Sequence, residues 1–353
     1  MSVQQSHGVA NLAQLAEFDE IIDVRSPAEY AEDRLPRAIN CPVLDDQQRA
    51  QVGTLYKQDS PFAARKIGAV LVARNIAAHI EQKFLDKPRN WRPLVYCWRG
   101  GQRSGAFTHI LRQIGWDAQR LAGGYKVWRQ HVIQQLVLLP PNFQYRVISG
   151  ATGSGKSRVL EALARLGAQV LHLEEMAAHK GSVLGGLPDI PQPSQRMFES
   201  RLFAALSGFD PARPVFVEAE SRRIGNLQLP DALLERIRAA PSYCIDAALD
   251  ARVDFLLRDY GYFLDDPGWL LERFELLRGL QSSERLARWR TLVETRDFRT
   301  LVGELLDLHY DPLYQRSQAK NFRGFEKAVR LSSNDLTPEG ILHLAQQIAS
   351  LIG

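Results

Sequence analysis

The feature that most constrains the fold is an eight-residue loop at residues 150–157, Gly-Ala-Thr-Gly-Ser-Gly-Lys-Ser. A predicted strand at residues 144–149 precedes it, and Val159, Leu160, Leu163 and Leu166 follow at helical spacing. This arrangement matches the Gly-x4-Gly-Lys-Ser phosphate loop, which joins a strand to a helix. The residues predicted to bind a diphosphate or nucleotide are Gly150, Thr152, Gly153, Ser154, Gly155, Lys156 and Ser157.

Each part of this loop has a predicted role in binding phosphate. The glycines let the backbone wrap around the anion, and the N–H groups at the helix N-terminus bind it. Lys156 is expected to reach the outer phosphates and Ser157 to ligate Mg²⁺. An acidic partner for the metal is predicted at the end of the apolar run 215–221, as Glu218 or Glu220. The alternative is that both glutamates are solvated turn residues, so no metal site is certain.

A second loop, at residues 96–104, contains a candidate reactive thiol in the sequence Tyr-Cys-Trp-Arg-Gly-Gly-Gln-Arg-Ser. A short apolar run precedes Cys97, and apolar residues at helical spacing follow the loop. A thiol at a helix N-terminus has a lowered pKa, because unpaired N–H groups and the helix dipole favour the thiolate. Arg99 and Arg103 add positive charge. Cys97 is therefore predicted either to attack a substrate or to carry an anionic group.

Two other interpretations of Cys97 remain open at this point. A cysteine at a strand end is often an inert core residue. Cys97 and Arg103 also fit the Cys-x5-Arg loop of cysteine phosphatases, which holds phosphate through backbone N–H groups and a bidentate arginine. Tyr96 stands where those enzymes usually have histidine. Cys41 and Cys244 lie in apolar sequence and are interpreted as structural.

The order of predicted elements indicates an α/β protein with two domains. At about 150 residues per domain, 353 residues suggest two. Strands and helices alternate through the first half, which favours a mostly parallel sheet. Pro140-Pro141 breaks the helix predicted from residue 126 onward. The predicted domains are therefore residues 12–138 and 139–353, the second being a phosphate-loop α/β domain with added helices.

Cysteine spacing and the lengths of the apolar runs exclude several classes of protein. Three widely spaced cysteines form neither a disulfide framework nor a zinc pattern. No apolar run approaches the roughly 18 residues that span a bilayer, and residues 1–10 lack the apolar core of a signal peptide. A cytoplasmic protein without a membrane partner is expected.

A polyanionic partner is compatible with the charge of the chain. The net charge is +4 and the sequence pI is near 9.0. Residues 285–299 and 316–330 are rich in basic residues, and a basic helix with aromatics suits an RNA backbone. A solvated helical face explains the same pattern. The candidate RNA contacts are Arg285, Arg288, Arg296, Lys320 and Arg323.

The first half resembles rhodanese domains. The residues that carry the resemblance are 23–30 (Asp-Val-Arg-Ser-Pro-Ala-Glu-Tyr), 38–40 (Ala-Ile-Asn) and 121–128 (Leu-Ala-Gly-Gly-Tyr-Lys-Val-Trp). Cys97 lies where that family has its persulfide-forming cysteine. Arg37 replaces a usual glycine, and residues 45–87 are long enough to form an insertion. The resemblance implies a rhodanese-like domain with a mostly parallel sheet.

Over essentially its whole length the chain resembles the bacterial tRNA 2-selenouridine synthase family. Besides the two loops, the matching segments are residues 178–182, 220–225 and 259–261. The resemblance implies a selenotransferase and geranyltransferase that acts on the wobble uridine in the anticodon arm of tRNA. There 2-thiouridine is S-geranylated with geranyl diphosphate, and selenium from selenophosphate then displaces the geranylthio group to give 2-selenouridine.

The same resemblance suggests roles for both loops and for a partner. Cys97 would carry selenium as a selenyl sulfide, with Arg99 and Arg103 holding the phosphate of the donor. The loop at residues 150–157 would hold geranyl diphosphate. A selenophosphate-producing enzyme is an expected partner.

Two further functions stay open from the residues alone. One is a rhodanese-type sulfurtransferase coupled to an NTP-hydrolysing domain in tRNA thiolation. The other is a kinase or regulatory NTPase with an inert rhodanese-like module. The phosphate loop by itself fits a nucleoside triphosphate as well as geranyl diphosphate.

Overall fold

The computed structural model describes residues 8–259, 261, 266–321 and 327–352, without the side chains of residues 317–321. The chain divides into two compact units, residues 1–135 and 136–353. Each unit has a parallel sheet with helices around it, so the predicted α/β class is confirmed. Among the described helices, none is both long and apolar enough to cross a bilayer.

The first unit is built on a five-stranded sheet in which every pair of neighbouring strands is parallel. The strands are β1 (Val9–Ala10), β2 (Glu20–Asp23), β3 (Ala38–Asn40), β4 (Pro93–Tyr96) and β5 (Gln119–Leu121), in the order β1-β5-β4-β2-β3. In the register, Asp23 lies opposite both Asn40 and Tyr96. The carboxyl ends of these strands therefore meet at one edge, immediately before Cys97.

Local sequence signals explain most helix boundaries in this unit. Ser26 caps a helix by accepting from the Glu29 N–H, and Gly115 ends another with φ at 111°. The helices are Leu12–Glu17 (3-10), Pro27–Glu32, Asp46–Gln58, Pro61–Lys83, Gln102–Ile114 and Gly124–Leu138. The alternation of strands and helices predicted for this half is confirmed.

The predicted insertion at residues 45–87 forms two consecutive helices, Asp46–Gln58 and Pro61–Lys83. Ile76 of the second helix lies in the same apolar core as Phe107. Asn75 donates hydrogen bonds to the Val43 carbonyl at 3.0 Å and to Gln48 Oε1 at 2.7 Å. These contacts hold the inserted helices close to the edge of the sheet that carries Cys97.

The second unit has its own five-stranded parallel sheet, in the order β12-β11-β6-β8-β7. Its strands are β6 (Tyr145–Gly150), β7 (Gln169–Leu171), β8 (Val215–Glu218), β11 (Ser242–Asp246) and β12 (Val329–Ser332). A small antiparallel pair, β9 (Arg223–Ile224) and β10 (Leu227–Gln228), stands apart. Strand β6 is central, and the loop at residues 150–157 leaves its carboxyl end, as predicted.

Helices surround this second sheet and form a further helical region after it. They are Pro140–Asn142 (3-10), Lys156–Arg165, Leu173–Ala177, Gln195–Ser207, Asp231–Ala239, Leu249–Asp259, Pro267–Phe274, Glu275–Leu277 (3-10), Ser283–Glu294, Phe298–Leu305, Leu306–Tyr310 (π), Asp311–Asn321 and Pro338–Ser350. The helical region has a separate core around the fully buried Trp289, whose ring lies 6.1 Å from Phe274.

Candidate active sites

The Cys97 thiol lies between the end of β4 and the helix Gln102–Ile114. The residue is only 3% exposed. The Gly101 N–H donates to Sγ at 3.3 Å, and the Ser104 hydroxyl lies 3.2 Å from Sγ. Donors at a helix N-terminus that point at one sulfur stabilise a negative charge on it.

The electrostatics of this loop favour the thiolate. Burial by itself would raise the pKa of Cys97, since it disfavours the charged form. Hydrogen bonds with the side chain and backbone of Ser104, the charge of Arg103 and the Gly101 N–H outweigh burial, so the pKa lies below that of an ordinary thiol. By contrast, burial raises the pKa of Cys41 to about 11. Cys97 thus has the electrostatics of a reactive thiol, and Cys41 does not.

The glycine pair of the rhodanese-like signature packs against the cysteine loop. A Cβ on Gly124 would lie 2.2 Å from the Cys97 carbonyl oxygen and 2.5 Å from the Gly100 nitrogen. Gly124 also has φ at 59°, which L side chains rarely adopt. The Tyr125 N–H donates to the Cys97 carbonyl at 2.9 Å. Only glycine at 124 therefore lets the backbone at residues 123–125 support the loop this closely.

A buried charged network lies in the same unit. Arg25 donates to Asp23 Oδ2 at 2.6 Å and to the Asp33 carbonyl at 2.6 Å. The Tyr125 hydroxyl donates to Asp33 Oδ2 at 2.8 Å, and the Arg25 guanidinium lies 4.0 Å from the Tyr125 ring centroid. Since Tyr125 also bonds to the Cys97 carbonyl, this network helps to position the cysteine loop. It accounts for the Asp-Val-Arg signature on structural grounds.

Three arginines line the cleft into which the cysteine loop opens. The cleft has a volume of about 620 Å³ and includes Arg49, Arg99 and Arg103. Arg103 is half-buried and pairs with Glu29 at 2.7 Å, whereas Arg49 and Arg99 are exposed. Arg49 comes from the inserted helix Asp46–Gln58 and was not predicted. The insertion was visible in the sequence, but nothing there indicated that Arg49 lines the Cys97 cleft.

The phosphate loop of the second unit has the predicted strand–loop–helix geometry. Gly153 and Gly155 have φ at 82° and 79°, in the left-handed region that favours glycine. Lys156 Nζ donates to the carbonyls of Gly150 at 2.8 Å and Ala151 at 3.2 Å. Lys156 and Ser157 line a cavity of about 290 Å³. Of the predicted loop residues, Thr152, Gly153, Gly155, Lys156 and Ser157 line this cavity, whereas Gly150 and Ser154 do not.

The acidic partner of Ser157 is Glu174, which was not predicted from the sequence. The Ser157 hydroxyl donates to Glu174 Oε2 at 2.9 Å. Glu218, at the end of β8, accepts from the Leu173 N–H at 3.0 Å and is not among the cavity-lining residues. Glu220 lines the cavity and is hydrogen-bonded to Glu174. Glu174 lies shortly after the carboxyl end of the strand β7, where residues of α/β active sites are often found. That position is the sequence signal that could have identified it.

Burial and neighbouring charge perturb the pKa values of Glu218 and Glu220. Burial, together with the charge of Glu174, raises the pKa of Glu218 to about 8. The pKa of Glu220 is raised well above its usual range, by burial first and then by Glu174 and Glu218. Burial lowers the pKa of Lys156 although the glutamates oppose it. A positive charge added near these clustered carboxylates would be favourable, because it would offset the repulsion between them.

The glycine-rich loop at residues 179–188 forms part of the same cavity. Lys180, Gly181 and Ser182 line it. A Cβ on Gly181 would lie 2.6 Å from Glu220 Oε1, so this glycine permits close approach to the carboxylates. Further along the chain, Asp266 caps a helix by accepting from the Trp269 N–H, and its neighbour Asp265 lies outside the described residues.

The donor set suits a hard cation that shares its ligands with a phosphate. Among the described residues, no group of three or more His, Cys, Asp or Glu side chains is arranged to hold a metal alone. Mg²⁺ is usually bound by one or two carboxylates together with substrate phosphates and water. The Ser157 hydroxyl and the Glu174 and Glu220 carboxylates supply oxygen donors of that kind. They would hold the ion only with a phosphate ligand present.

Two of the predicted RNA-contacting residues, Arg285 and Arg288, lie in the helical region and have protein partners. Arg288 pairs with Glu304 at 2.5 Å, and Arg285 donates to Gln281 at 2.6 Å. Arg296 is exposed, with φ at 57°. Lys320 lies in the helix Asp311–Asn321, where side chains are not described, and Arg323 lies outside the described residues. Intramolecular pairing reduces the free positive charge that this face offers to RNA.

Comparison with known proteins identifies both halves. One family model, described as a rhodanese-like domain, matches residues 9–131, and another, described as the tRNA 2-selenouridine synthase AAA domain, matches residues 143–267. The predictions of a rhodanese-like half and a phosphate-loop half are therefore confirmed.

Full-length relatives agree with these matches. A tRNA 2-selenouridine synthase of Nitrosomonas europaea is 38% identical over 68% of this chain and 63% of its own length. Proteins of the same name from Alcanivorax borkumensis and Marinobacter nauticus are 36% and 32% identical, each over 83% of this chain and over 88% and 87% of their own lengths. The chain thus spans under two thirds of the Nitrosomonas protein but most of the other two.

Proposed function

The chain belongs to the tRNA 2-selenouridine synthase family, and we propose that it converts 2-thiouridine at the wobble position of tRNA into 2-selenouridine. The observation that carries this proposal is the pairing of two anion-binding loops, one with an activated thiol and one with a lysine, on a chain of this family. Geranyl diphosphate and selenophosphate are the proposed co-substrates. The phosphate loop serves the first and the Cys97 cleft serves the second.

The first proposed step is S-geranylation of 2-thiouridine. The sulfur attacks C1 of the geranyl group, a C–S bond forms, and the C–O bond to diphosphate breaks with its electron pair on the leaving oxygen. The sulfur loses its negative charge or its proton in this step. Lys156 and the loop N–H groups stabilise the charge on the departing diphosphate. Ser157 and Glu220 would hold Mg²⁺ together with the diphosphate, and the ion would supply further charge neutralisation.

The second proposed step releases selenium from selenophosphate at Cys97. Selenium in selenophosphate is at the selenide oxidation level, so forming a selenyl sulfide from it requires a two-electron acceptor. The balanced route is attack by the Cys97 thiolate at phosphorus. The S–P bond forms, the P–Se bond breaks, and selenium leaves with the electron pair as hydrogen selenide. Water then hydrolyses the S–P bond and restores the thiol.

The last step replaces the geranylthio group. Hydrogen selenide adds to C2 of the uridine, the C2–S bond breaks, and the group leaves as geranylthiol with the proton from selenium. Alkylation makes the sulfur a better leaving group than it is in 2-thiouridine. Arg49, Arg99 and Arg103 hold the phosphate of the donor in the cleft, where arginine–phosphate bonds are charge-assisted.

Mass spectrometry of the wobble nucleoside tests the proposal. Thiolated tRNA is incubated with the protein, geranyl diphosphate and selenophosphate, and each component is omitted in turn. We expect S-geranyl-2-thiouridine without selenophosphate, unchanged 2-thiouridine without geranyl diphosphate, and 2-selenouridine with both. A parallel incubation uses tRNA without the thiol, a sulfur donor and a nucleoside triphosphate. Formation of 2-thiouridine there would instead indicate a sulfurtransferase coupled to NTP hydrolysis.

The species on Cys97 is tested separately. The protein is quenched during turnover, and the peptide that contains Cys97 is examined by mass spectrometry. A phosphorus label without the isotope pattern of selenium supports attack at phosphorus. The selenium pattern on that peptide would support the selenyl sulfide predicted from the sequence, and would overturn the phosphorus route.

A further inference from the structure

A second cavity, of about 90 Å³, adjoins the phosphate-loop cavity in the same unit. The two cavities share Thr152, Ser182, Leu256 and Tyr310 in their walls. The remaining lining residues of the smaller cavity are leucines, one valine and one phenylalanine, from the helices Leu249–Asp259, Pro267–Phe274, Phe298–Leu305 and their neighbours. We call this cavity the leucine pocket. Its polar residues are those at the boundary with the phosphate-loop cavity.

The boundary between the two cavities is built from the phosphate loop itself. A Cβ on Gly153 would lie 2.9 Å from Leu256 Cδ1, so the loop backbone packs directly on a wall of the leucine pocket. The Tyr310 hydroxyl is hydrogen-bonded to the Ser182 side chain and the Leu184 backbone, which satisfies its polar atom at the boundary. A ligand with an anionic head and an apolar tail could therefore occupy both cavities at once.

We propose that the leucine pocket binds the hydrocarbon chain of a prenyl diphosphate whose diphosphate lies on residues 150–157. This inference rests on the proposed geranyl transfer. It adds where the hydrocarbon chain is held and how its length is selected. A nucleotide fits this pocket poorly. Its ribose and base would leave hydrogen-bonding groups unsatisfied against leucine side chains, and unsatisfied buried polar groups are destabilising.

The size of the pocket favours a short chain. Its volume is only about 90 Å³. We therefore expect a ten-carbon geranyl chain to cover the apolar wall, and a fifteen-carbon farnesyl chain to be held less well for lack of space. A five-carbon chain would leave part of the wall uncovered. Each methylene buried is worth about fourfold in affinity.

Two leucines of the helical core provide a matched test of chain-length selection. Leu305 and Leu286 are each 7% exposed and belong to the same core, but only Leu305 lines the leucine pocket. Leu305→Ala enlarges the pocket, so we expect the farnesyl-to-geranyl ratio of kcat/KM to rise at least tenfold. Leu286→Ala removes the same groups and should leave that ratio within twofold. Equal ratios in both variants would overturn the proposal.

A filling variant tests the pocket without relying on catalysis. Val302 is half-buried and lines the pocket, so Val302→Phe reduces the space for the chain. We expect its Kd for geranyl diphosphate, measured by calorimetry, to rise at least tenfold. Its Kd for inorganic diphosphate, which contacts only the phosphate loop, should stay within twofold of wild type. Equal weakening of both ligands, or of neither, would contradict the proposal.

The two experiments separate the pocket from the reaction. If the protein binds geranyl diphosphate more tightly than inorganic diphosphate but transfers no geranyl group to thiolated tRNA, the proposed function fails and the pocket stands. If it geranylates tRNA and none of the pocket variants changes chain-length selectivity or geranyl diphosphate affinity, the pocket assignment fails and the proposed function stands.

Discussion

The loop at Cys97 and the loop at residues 150–157 have similar backbone geometry, but one carries a thiol and the other a lysine. Each follows a strand at the carboxyl edge of a parallel sheet and opens a helix whose N-cap is glycine, Gly101 in one and Gly155 in the other. In the first loop the Gly101 N–H donates to the Cys97 sulfur. In the second, Lys156 lies back over the carbonyls of its own loop.

The charges around the two loops have opposite sign. Three arginines and one glutamate line the Cys97 cleft. Three glutamates, 174, 218 and 220, surround Lys156, and burial with mutual repulsion raises the pKa values of Glu218 and Glu220. The first site is therefore equipped to receive an anion directly. The second is better suited to an anion that arrives with a cation, which explains why two similar loops would serve different phosphate-containing substrates.

The largest expected effect comes from removing the nucleophile. Cys97→Ala should lower the rate of selenation of pre-geranylated tRNA about a thousandfold or more, since no other group supplies the thiolate. Geranylation should stay within twofold of wild type. Nucleoside mass spectrometry measures both steps. The control is Cys41→Ala, which removes a buried thiol of the same unit whose pKa is raised to about 11; loss of selenation there would contradict the assignment.

The reciprocal variant is Lys156→Ala. Removing the amine should lower geranylation about 100- to 1000-fold, because Lys156 stabilises charge on the departing diphosphate. Selenation of tRNA that already carries the geranyl group should be unaffected. If both steps fell equally in a folded variant, the phosphate loop would serve something common to them, such as tRNA binding or a nucleotide-driven step.

A smaller effect is expected for the arginine that the insertion contributes. Arg49→Ala should raise the KM for selenophosphate about threefold to tenfold, the value of one exposed charge-assisted contact of about 0.5–1.5 kcal/mol. Arg65→Ala is the matched control, because Arg65 is also exposed on an inserted helix but lines a neighbouring groove without Cys97. Equal effects of the two substitutions would indicate a general loss of positive charge.

The smallest effect concerns stability and its dependence on pH. Glu218 has a folded-state pKa of about 8, and that of Glu220 is also raised, against about 4.3 in the unfolded chain. The stability contributed by these protonated groups is present below about pH 4 and is lost as the pH rises towards 8. Glu220→Gln should therefore unfold about 2–4 °C above wild type at pH 8.5, equivalent to about 1 kcal/mol, with little difference at pH 4.

Calorimetry at several pH values checks this expectation, with Glu235→Gln as the control on an exposed helical position. Added Mg²⁺ with inorganic diphosphate should reduce the difference between Glu220→Gln and wild type, since a bound cation relieves the repulsion. A difference that did not grow with pH would show that Glu220 is not strained by its neighbours.

Local sequence signals were sufficient for most of the elements that carry the two loops. Ser26 and Pro27 start a helix, Gly115 ends one, and the Gly-x4-Gly-Lys-Ser loop falls between β6 and its helix. These features depend on residues within a few positions of one another, so they can be predicted from the sequence. The arginine-rich segments were less informative, because charge along a helix does not reveal that Arg288 is paired with Glu304.

The sequence by itself determined the two loops, the positions of Cys97 and Lys156 within them, and the α/β framework, because each follows from short-range spacing and backbone preference. Only the tertiary structure decided that Arg49 lines the Cys97 cleft, that Ser157 bonds to Glu174, and that leucines of the helical region meet the phosphate loop. Those contacts join residues that are far apart in the chain. They depend on which faces of the helices pack together, a choice made by burial of the whole core rather than by any local pattern.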